Sequence, residues 1–541
     1  MPRMTTGEII ARSLIANGVD TVFGIPGAHM YDFNDALARE AGRVRFIHTR
    51  HEQGAGYMAY GYAKSTGRVG AYTVVPGPGL LNSGAALCTA YGANAPVICV
   101  TGNIMSNLIG QGRGQLHELP DHLGTMRGLT KWAERINHPT EAGSVMDEAF
   151  RQMLSGRQRP VAIEAPWDVF GMSAEVDAPV EARPLAPPRP DPDQVAKAAA
   201  MIRAAKNPLI MVGSGALDAG PEVAALARLI QAPVTAHRSG KGILPDDDPL
   251  ALLPPAAWQY WQDCDLLIGI GSRLELQHFR WRWMPKGLKV LRLDIDPTEI
   301  VRLKPDLGLV TDSKAGLAAL VEALAEMPAP PSRKAECARL RADAAVALAS
   351  VQPQEGYLRV IREVLPRDGF FVEEVSQVGF TARLTFPVYA PRQYVTVGYQ
   401  DNLGFGYNTA LGVKIGNPDK AVVSISGDGG FLFGVQELAT ARQFNIGVVA
   451  VVFNNSAYGN VRRDQQNTYG NRIMGSDLEN PDFVALAKAF GVKGMLARDP
   501  EELRSALIEA LALNAPVVIE VPVPKGSDSS PWPFYHPAPL S

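Results

Sequence analysis

The segment VVSISGDGGFLFG, residues 422–434, combines an apolar run with a carboxylate, Asp428, that is flanked by glycines. A helical pattern follows, and a second apolar run then ends in Asn454 and Asn455. This order predicts a strand, a helix and a second strand, so the two strands should be parallel and neighbours in one sheet. Asp428 and Asn455 then leave the carboxyl ends of these strands, at the edge where open α/β sheets bind ligands.

The chemistry available at this edge is that of a metal-bound diphosphate. A carboxylate and an amide oxygen are hard ligands, suited to Mg²⁺ that bridges to phosphates. Gly429 and Gly430 leave backbone N–H groups free to approach a phosphate near a helix N-terminus. A tight Asp-Gly turn is the alternative interpretation of the same residues, and the strand–helix–strand pattern around them favours a site.

A second candidate carboxylate is Glu52, in the segment FIHTRHEQGAGYMAYGYAKSTG. It follows a predicted strand and opens a predicted helix whose first turns carry small residues, which leaves space for a ring. Taken alone, Glu52 is a first-turn glutamate of the kind that the helix dipole favours.

The rest of the sequence predicts the elements that position these residues. The chain has 541 residues, too many for one core, and two proline-rich stretches, 178–193 and 327–334, divide it into three blocks. Each block alternates short Val/Ile/Leu runs with helical patterns, which is typical of parallel α/β sheets. We expect three doubly wound parallel-sheet α/β domains and a C-terminal tail, with the boundaries 1–177, 194–326, 335–525 and 526–541.

Composition argues against several classes of function. The formal net charge is −3 and no Lys/Arg cluster is present, so we expect neither a nucleic acid nor an anionic membrane as partner. No apolar run approaches the length of a membrane span, and the N-terminal stretch predicts an amphipathic helix and not a signal peptide. The four cysteines are scattered without a CxxC pair, which favours a cytoplasmic location over a disulfide framework.

The spacing of two motifs, Gly427-Asp428-Gly429 and Asn454-Asn455, resembles the signature of the thiamine diphosphate (ThDP)-dependent enzymes. The resemblance covers nearly the full length, as pyrimidine-binding, middle Rossmann-like and diphosphate-binding domains. It implies ThDP and Mg²⁺ as cofactors. In this family one active site takes its pyrimidine and diphosphate domains from different subunits, so the resemblance also implies a homodimer at least, with homotetramers usual.

The same resemblance implies a set of residues around the cofactor. The Mg²⁺ ligands would be Asp428, the Asn455 side chain and the Ala457 carbonyl. Leu403 matches the bulky side chain that bends the cofactor, although it could also be a core residue. The positions that would touch the cofactor are Gln377, Asp401, Leu403, Gly427, Gly429, Gly430, Tyr458 and Gly459, with the Asp401 carbonyl and the Leu403 N–H on the pyrimidine edge.

Glu52 acquires a catalytic role through the resemblance. The pattern RHE-x-x-A/G-x-x-x-A-x-G-Y around it matches the pyrimidine-domain motif of the family. In the family a carboxyl group at this position forms a hydrogen bond with the far pyrimidine nitrogen and so promotes deprotonation of the thiazolium C2. The cofactor carries out the reaction, and the protein adjusts its reactivity.

Within the family the segments VFGIPGAH, RHEQGAG, GPGLLN, LDIDPTEI and GFG resemble the acetolactate synthase-like branch. These enzymes decarboxylate a 2-oxo acid such as pyruvate and add the acyl carbanion equivalent to a second carbonyl, of an aldehyde or ketone. Arg273 falls where the synthases place an arginine that meets the second substrate, and a salt-bridge arginine is the equal alternative. We therefore expect a ThDP- and Mg²⁺-dependent carboligase.

Several residues depart from the synthase pattern. Asp464 replaces the specificity tryptophan, and Leu116-His117-Glu118 replaces the Phe-Gln-Glu of the entrance loop. His29, in GIPGAHM, resembles the working histidine of benzaldehyde lyase. His29 and His117 are therefore candidates for proton transfer near neutral pH. A benzaldehyde lyase-like aldehyde carboligase or lyase, and a simple 2-oxo acid decarboxylase, stay open as alternatives.

The segment VGSGAL in the middle block raises a different class, a flavin or nicotinamide oxidoreductase. After Gly213 and Gly215, however, Asp218 stands where the dinucleotide fingerprint requires the third glycine. In the family this domain sometimes holds FAD or ADP without redox use, so FAD stays a possible cofactor without a redox role. A non-catalytic scaffold is not favoured, because both Glu52 and Asp428 are present. The sequence does not determine the donor, the acceptor or the fate of the product.

Overall fold

Three six-stranded parallel sheets organise the chain in the computed structural model, which describes residues 1–539. Helices cover both faces of each sheet, and the strand orders reverse within each sheet, as doubly wound domains require. The three doubly wound α/β domains expected from the sequence are confirmed. No helix within residues 1–539 combines the length and the apolar character needed to cross a membrane. All four cysteines are free, and the cytoplasmic location stays a prediction.

The N-terminal domain contains eight strands and seven helices. They are, in chain order, β1 (Arg3–Thr5), α1 (Thr6–Ala16), β2 (Thr21–Gly24), α2 (Tyr31–Arg39), β3 (Arg45–His48), α3 (Glu52–Thr66), β4 (Gly70–Val74), α4 (Pro78–Gly92), β5 (Val97–Asn103), α5 (His122–Leu129), β6 (Trp132–Arg135), α6 (Pro139–Leu154), β7 (Val161–Pro166), α7 (Trp167–Gly171) and β8 (Ser173–Glu175). The sheet order is β3-β2-β4-β5-β7-β6, and β1 pairs separately with β8. The predicted N-terminal amphipathic helix is α1, which a capping box of Thr5 and Glu8 starts.

The middle domain has the strand order 3-2-1-4-5-6, counted along the domain, which is typical of a Rossmann-like fold. The order reverses beside its first strand. Its elements are α8 (Pro192–Ala204), β9 (Pro208–Val212), α9 (Gly220–Ile230), β10 (Val234–Ala236), β11 (Ala251–Leu252), α10 (Pro254–Trp261), β12 (Leu266–Ile270), β13 (Lys289–Asp294), α11 (Pro297–Leu303), β14 (Leu307–Val310), α12 (Ser313–Ala323) and α13 (Lys334–Leu348). The sheet order is β11-β10-β9-β12-β13-β14.

One domain boundary differs from the expected one. The helix α13 follows the second proline-rich stretch, where the sequence predicts the start of the third domain at residue 335. Instead α13 packs against the middle domain and buries Cys337, Leu340 and Ala344 in its core. The prolines therefore separate two elements of the middle domain, and the fold of the third domain begins after α13.

The third domain carries the Asp428 and Asn455 motifs. Its elements are α14 (Gln354–Val364), β15 (Phe370–Glu373), α15 (Gln377–Thr385), β16 (Tyr394–Thr396), α16 (Gly406–Gly416), β17 (Val422–Gly427), α17 (Asp428–Leu432), α18 (Glu437–Gln443), β18 (Val449–Asn454), α19 (Gly459–Asn467), α20 (Phe483–Ala489), β19 (Lys493–Leu496), α21 (Pro500–Leu513), β20 (Val517–Pro522) and α22 (Trp532–Tyr535). The sheet order is β16-β15-β17-β18-β20-β19.

The strands β17 and β18 are parallel neighbours, with Gly427 opposite Phe453. This confirms the strand–helix–strand prediction, except that two short helices, α17 and α18, replace the single expected helix. Because Gly427 and Phe453 end the register together, the residues that follow each strand emerge at one edge of the sheet.

The N-terminal and third domains share a core. The aromatic rings of Tyr57 and Tyr60 on α3 lie edge-on to Phe405, with ring centroids 5.6 and 5.4 Å apart. These residues belong to one buried apolar cluster that runs from the first sheet into the third. Packing of α3 against α16 therefore fixes the start of α3, and with it Glu52, relative to the third domain of the same chain.

Candidate active site

A cavity of about 260 Å³ lies at the carboxyl edge of the third sheet. It is bounded by the starts of three helices, α15, α17 and α19, and by Asp528 of the C-terminal tail. The free N–H groups of helix N-termini favour anions such as phosphates. The sequence-predicted residues that line the cavity are Gln377, Asp401, Leu403, Gly427, Asp428, Gly429, Gly430, Asn455, Ala457, Tyr458 and Gly459.

The two predicted side-chain metal ligands, Asp428 and Asn455, are joined by one backbone donor. The N–H of Ala457 lies 3.3 Å from Asp428 Oδ2 and 3.2 Å from Asn455 Oδ1. Asn480, which the sequence reasoning missed, donates to Asp428 Oδ2 at 2.7 Å. The donors to this carboxylate are thus amides and not cations. Burial raises the pKa of Asp428, and these amide hydrogen bonds oppose the shift only in part.

This donor set fits Mg²⁺. A buried carboxylate whose hydrogen-bond donors are neutral lacks a compensating positive charge, and a divalent cation supplies one. Within residues 1–539 there is no cluster of three or more His, Cys, Asp or Glu side chains that could hold a metal. The site therefore differs from an all-carboxylate or histidine centre, and its remaining ligands would be amide and carbonyl oxygens.

Gly429 is required where it stands because the opposite wall approaches closely. A Cβ atom at Gly429 would lie 2.5 Å from Cε1 of Tyr458, a distance that side-chain carbons do not adopt. The turn after β17 and the segment after β18 therefore pack against one another through this glycine. That packing leaves the backbone of the turn exposed to the cavity.

The floor of the cavity is the loop that carries Asp401 and Leu403. Behind it lies Glu374, a fully buried residue that accepts a hydrogen bond from the Phe405 N–H at 2.9 Å. Burial raises the pKa of Glu374 to about 7. Glu374 also contacts Gly430 closely enough that a Cβ atom there would lie 2.9 Å from its carboxyl carbon. The carboxyl group of Glu374 thus connects the floor loop to the turn after β17.

The C-terminal tail contributes Asp528 to one wall of the cavity, which the sequence did not predict. Arg463 on α19 donates from Nη1 to Gln377 Oε1 at 2.7 Å and from Nη2 to Asp528 Oδ2 at 2.5 Å. Trp532 donates from Nε1 to Asn460 Oδ1 at 2.8 Å. The aromatic residues of the segment SSPWPFYH were the available signal, since a freely solvated tail has little use for them.

Glu52 lies at the first position of α3, as predicted, and outside the cavity of its own chain. Its Oε2 accepts a hydrogen bond from Asn82 Nδ2 at 3.0 Å. The two residues before it are held by Glu437 of the third domain, whose carboxylate accepts the N–H groups of Arg50 at 3.0 Å and His51 at 2.9 Å. Burial raises the pKa of Glu437.

His29 and His117 lie together at the carboxyl edge of the first sheet, with stacked rings. His29 is buried, and its Nε2 lies 3.0 Å from the Leu116 carbonyl oxygen. Since a carbonyl only accepts, Nε2 carries the proton, and the buried Nδ1, which has no partner in the structure, is left as a base. Burial and the neighbouring His117 lower the pKa of His29. The indole of Trp167 packs on the other side, 4.7 Å between ring centroids.

His29 and His117, like Glu52, are not part of the cavity in their own chain. Arg273 also lies elsewhere, in a small cleft of about 60 Å³ between the middle domain and its neighbours. Its Nε lies 3.5 Å from Glu299, and its guanidinium lies 4.8 Å from the ring centroid of Tyr399. The structure thus gives Arg273 the salt bridge of the alternative interpretation, and its contact with a second substrate stays a prediction.

The VGSGAL turn lines the same cleft, and close backbone packing accounts for its first glycine. A Cβ atom at Gly213 would lie 2.5 Å from the Gly271 carbonyl oxygen. This contact between two strand ends of the middle sheet requires glycine without any nucleotide. FAD binding at this cleft stays a prediction.

Comparison with known proteins agrees with this geometry. Three family models match the chain: thiamine pyrophosphate enzyme N-terminal TPP binding domain at residues 4–125, central domain at 195–320 and C-terminal TPP binding domain at 374–521. A probable 2-ketoarginine decarboxylase of Pseudomonas aeruginosa is 33% identical over 96% of this chain and 94% of its own length. A probable acetolactate synthase large subunit of Methanocaldococcus jannaschii is 33% identical over 96% of this chain and 92% of its own length. The acetolactate synthase isozyme 1 large subunit of Escherichia coli is 30% identical over 96% of this chain and 94% of its own length.

Proposed function

The chain belongs to the thiamine pyrophosphate-dependent enzymes, in their acetolactate synthase-like branch, and from this premise we propose that it is a ThDP- and Mg²⁺-dependent carboligase. Its reaction would be decarboxylation of a 2-oxo acid such as pyruvate, followed by addition of the acyl group to the carbonyl of an aldehyde or ketone. The observation that carries the proposal is the pairing of Asp428 and Asn455 through the Ala457 N–H, inside the cavity that Leu403 floors.

Each wall of the cavity receives a role in this proposal. Asp428, Asn455 and the Ala457 carbonyl would hold Mg²⁺, and Gln377 with the Tyr458-Gly459 segment would face the diphosphate. When bound, ThDP supplies the carbanion chemistry that amino-acid side chains lack. The tail residue Trp532 does not line the cavity, and it would support the lining residue Asn460 from behind through its hydrogen bond.

Residues of the N-terminal domain would complete the site from a second subunit. Glu52 would hold a proton at the pyrimidine of the cofactor, and His29 and His117 would move protons at the substrate carbonyl. None of the three lines the cavity of its own chain, which is the arrangement expected if each site takes its pyrimidine-binding domain from the other chain of a dimer. We therefore propose a homodimer as the minimum active unit, with a homotetramer as the larger assembly. Sedimentation analysis at several protein concentrations measures this directly.

Decarboxylation without carboligation is the second candidate function. It is favoured by the 33% identity to the probable 2-ketoarginine decarboxylase, which extends over 96% of this chain. The acidic residue Asp528 also lines the cavity, where a carboxylate could bind a positively charged substrate group. In the structure, however, Asp528 already pairs with Arg463. A benzaldehyde lyase-like reaction, which His29 suggests, is tested by the same assay.

A substrate panel tests the proposal. Purified protein is supplied with ThDP and Mg²⁺ and offered pyruvate, longer and aromatic 2-oxo acids, a guanidinium-bearing 2-oxo acid, and aldehydes, while CO₂ and products are followed. Carboligation is expected to give a ketone product together with CO₂. Free aldehyde and CO₂ from one donor, without a coupled product, would identify the decarboxylase. No CO₂ and no carbon–carbon bond exchange from any donor would contradict the proposal.

A further inference from the structure

Arg238 of the middle domain reaches into the loop that floors the cavity. It lies in a short 3₁₀ turn after β10 and is buried, with 4% of its surface exposed. Its guanidinium makes a two-point contact with Asp401, in which Nη1 donates to Oδ1 and Nη2 to Oδ2, each at 2.9 Å. Nη1 also donates to the Gly398 carbonyl oxygen at 2.5 Å. Arg238 therefore holds both the side chain and the backbone of one loop.

The backbone of Asp401 is in a conformation that needs support. Its φ is +46°, in the left-handed region that costs a residue with a side chain about 1–2 kcal/mol. The loop is bounded by two glycines with positive φ, Gly398 at +67° and Gly404 at +79°, so its own sequence does not make it rigid. Contacts from outside the loop must select this conformation.

Two arginines supply those contacts. Besides Arg238, the fully buried Arg383 donates from Nη2 to Asp401 Oδ1 at 2.8 Å and is itself paired with Glu373. Glu275 of the middle domain accepts from Arg238 Nε at 2.9 Å. Burial alone would raise the pKa of Asp401, but its hydrogen bonds and charge pairs with Arg238 and Arg383 outweigh burial and lower it. Asp401 is therefore an anion clamped between two domains.

We propose that Arg238 is a positioning residue for the cofactor, which acts across the domain boundary by holding Asp401 and hence the Asp401–Leu403 loop in the conformation that binds ThDP. This inference rests on the proposed function, because it needs ThDP in the cavity that this loop floors. Arg238 itself does not line that cavity. It acts through Asp401, whose carboxylate faces the arginines while the loop faces the cavity.

The expected effect follows from the population of the binding conformation. If the loop without Arg238 adopts that conformation about one tenth of the time, the apparent affinity falls about tenfold. A lysine at this position keeps the charge but cannot form the two-point contact. Its affinity should therefore be intermediate.

The test is calorimetric titration of the purified full chain with ThDP at saturating Mg²⁺, together with the thermal unfolding midpoint of each variant without cofactor. Arg238→Met is expected to bind ThDP about tenfold more weakly, and Arg238→Lys to recover part of the loss. The control is Asp218→Asn, which removes another ion pair between the same two domains, with Arg392 at 2.8 Å; neither residue lines the cavity. It should keep the affinity of the wild type.

A second variant separates positioning from folding. Asp401→Gly adopts a φ of +46° without strain and leaves Arg238 paired with Glu275, so it should fold even if Arg238→Met does not. It is expected to bind ThDP about tenfold more weakly, and Arg238→Met/Asp401→Gly should be no weaker than either single variant. Wild-type affinity in a folded Arg238→Met or in Asp401→Gly would overturn the inference. A wild-type protein that fails to bind ThDP would overturn the proposed function first, and the inference with it.

Discussion

The imidazole rings of His29 and His117 are stacked, with centroids 5.0 Å apart and an angle of 21° between their planes. Two positively charged rings this close would repel each other, so protonation of one opposes protonation of the other. His29 is the more firmly placed of the pair, because the Leu116 carbonyl fixes its Nε2 proton. At neutral pH the pair therefore offers a base at His29 Nδ1.

The first prediction concerns the acid limb of the pH–rate profile. The pKa of His29 is lowered from 6.5, so the neutral base persists as the pH falls to 6.5 and is lost only below it. Turnover by the wild type should therefore decline on the acid side of pH 6.5, and His29→Ala should lose this limb. The loss in kcat at neutral pH should be about 10²–10⁴-fold if His29 acts as a general base. ThDP affinity should stay unchanged.

The measurement is kcat against pH for the wild type, His29→Ala and His117→Ala with each active donor. If both variants turn over every donor as fast as the wild type, the two histidines are structural and the chemistry rests on Glu52 and the cofactor.

The second prediction concerns metal retention. Asp428→Ala should abolish Mg²⁺-dependent ThDP binding, since it removes the only charge among the proposed ligands. The fold should survive, because a buried carboxylate with neutral donors costs stability when no cation is present. Titration calorimetry with ThDP and Mg²⁺, and the unfolding midpoint without them, check both parts. Asp419→Ala, at an exposed carboxylate of the same domain, is the control. Wild-type affinity of Asp428→Ala for ThDP and Mg²⁺ would contradict the proposal that Asp428 binds the metal.

The sequence predicted that Asp428 and Asn455 meet at one sheet edge, because local order determines this meeting. A strand, a helix and a parallel strand place Asp428 and Asn455 at one sheet edge whatever the rest of the chain does. It could not predict the clamp on Asp401 or the tail wall. Arg238 and Asp401 are 163 residues apart, and Trp532 and Asn460 are 72 apart, so no local pattern relates them. The boundary at 335 was misplaced for a similar reason, since prolines mark where helices stop and not where a core ends.

The third prediction concerns Glu437, which holds the backbone just before Glu52. Its buried carboxylate accepts the N–H groups of Arg50 and His51 and the hydroxyl of Thr440, the last at 2.6 Å. Glu437→Ala would remove the acceptor of two part-buried N–H groups, each at a cost of about 0.5–1.5 kcal/mol. The expected loss is therefore about 1–3 kcal/mol in the free energy of unfolding of this region.

Denaturant unfolding followed by hydrogen exchange at α3 measures this loss. The control is Glu509→Gln, which breaks an exposed ion pair with Lys493 and should cost no more than about 1 kcal/mol. Equal unfolding of Glu437→Ala and the wild type would show that the contact between the two domains does not hold the start of α3.

The last prediction concerns Glu52 itself. Two interpretations compete: a first-turn glutamate that the helix dipole favours, and a carboxyl group that exchanges a proton with the bound pyrimidine. Only the second requires the carboxyl group as an acid or base. Glu52→Gln keeps the size of the side chain and can still pair with Asn82, whose Nδ2 lies 3.0 Å from Glu52 Oε2. The variant should therefore fold and bind ThDP as the wild type does.

Proton exchange at C2 of the bound cofactor should nevertheless slow by about 10²–10⁴-fold in Glu52→Gln, because an amide cannot relay a proton. Quenched-flow NMR measures this rate without any substrate, so it isolates Glu52 from the histidines. Asn82→Ala is the matched control, since it removes the partner of Glu52 but leaves the carboxyl group, and its exchange rate should stay close to that of the wild type. Wild-type exchange in Glu52→Gln would leave Glu52 as a helix-start residue only. Slow exchange in that variant, with ThDP affinity intact, requires the carboxyl group of Glu52 to act on the bound cofactor.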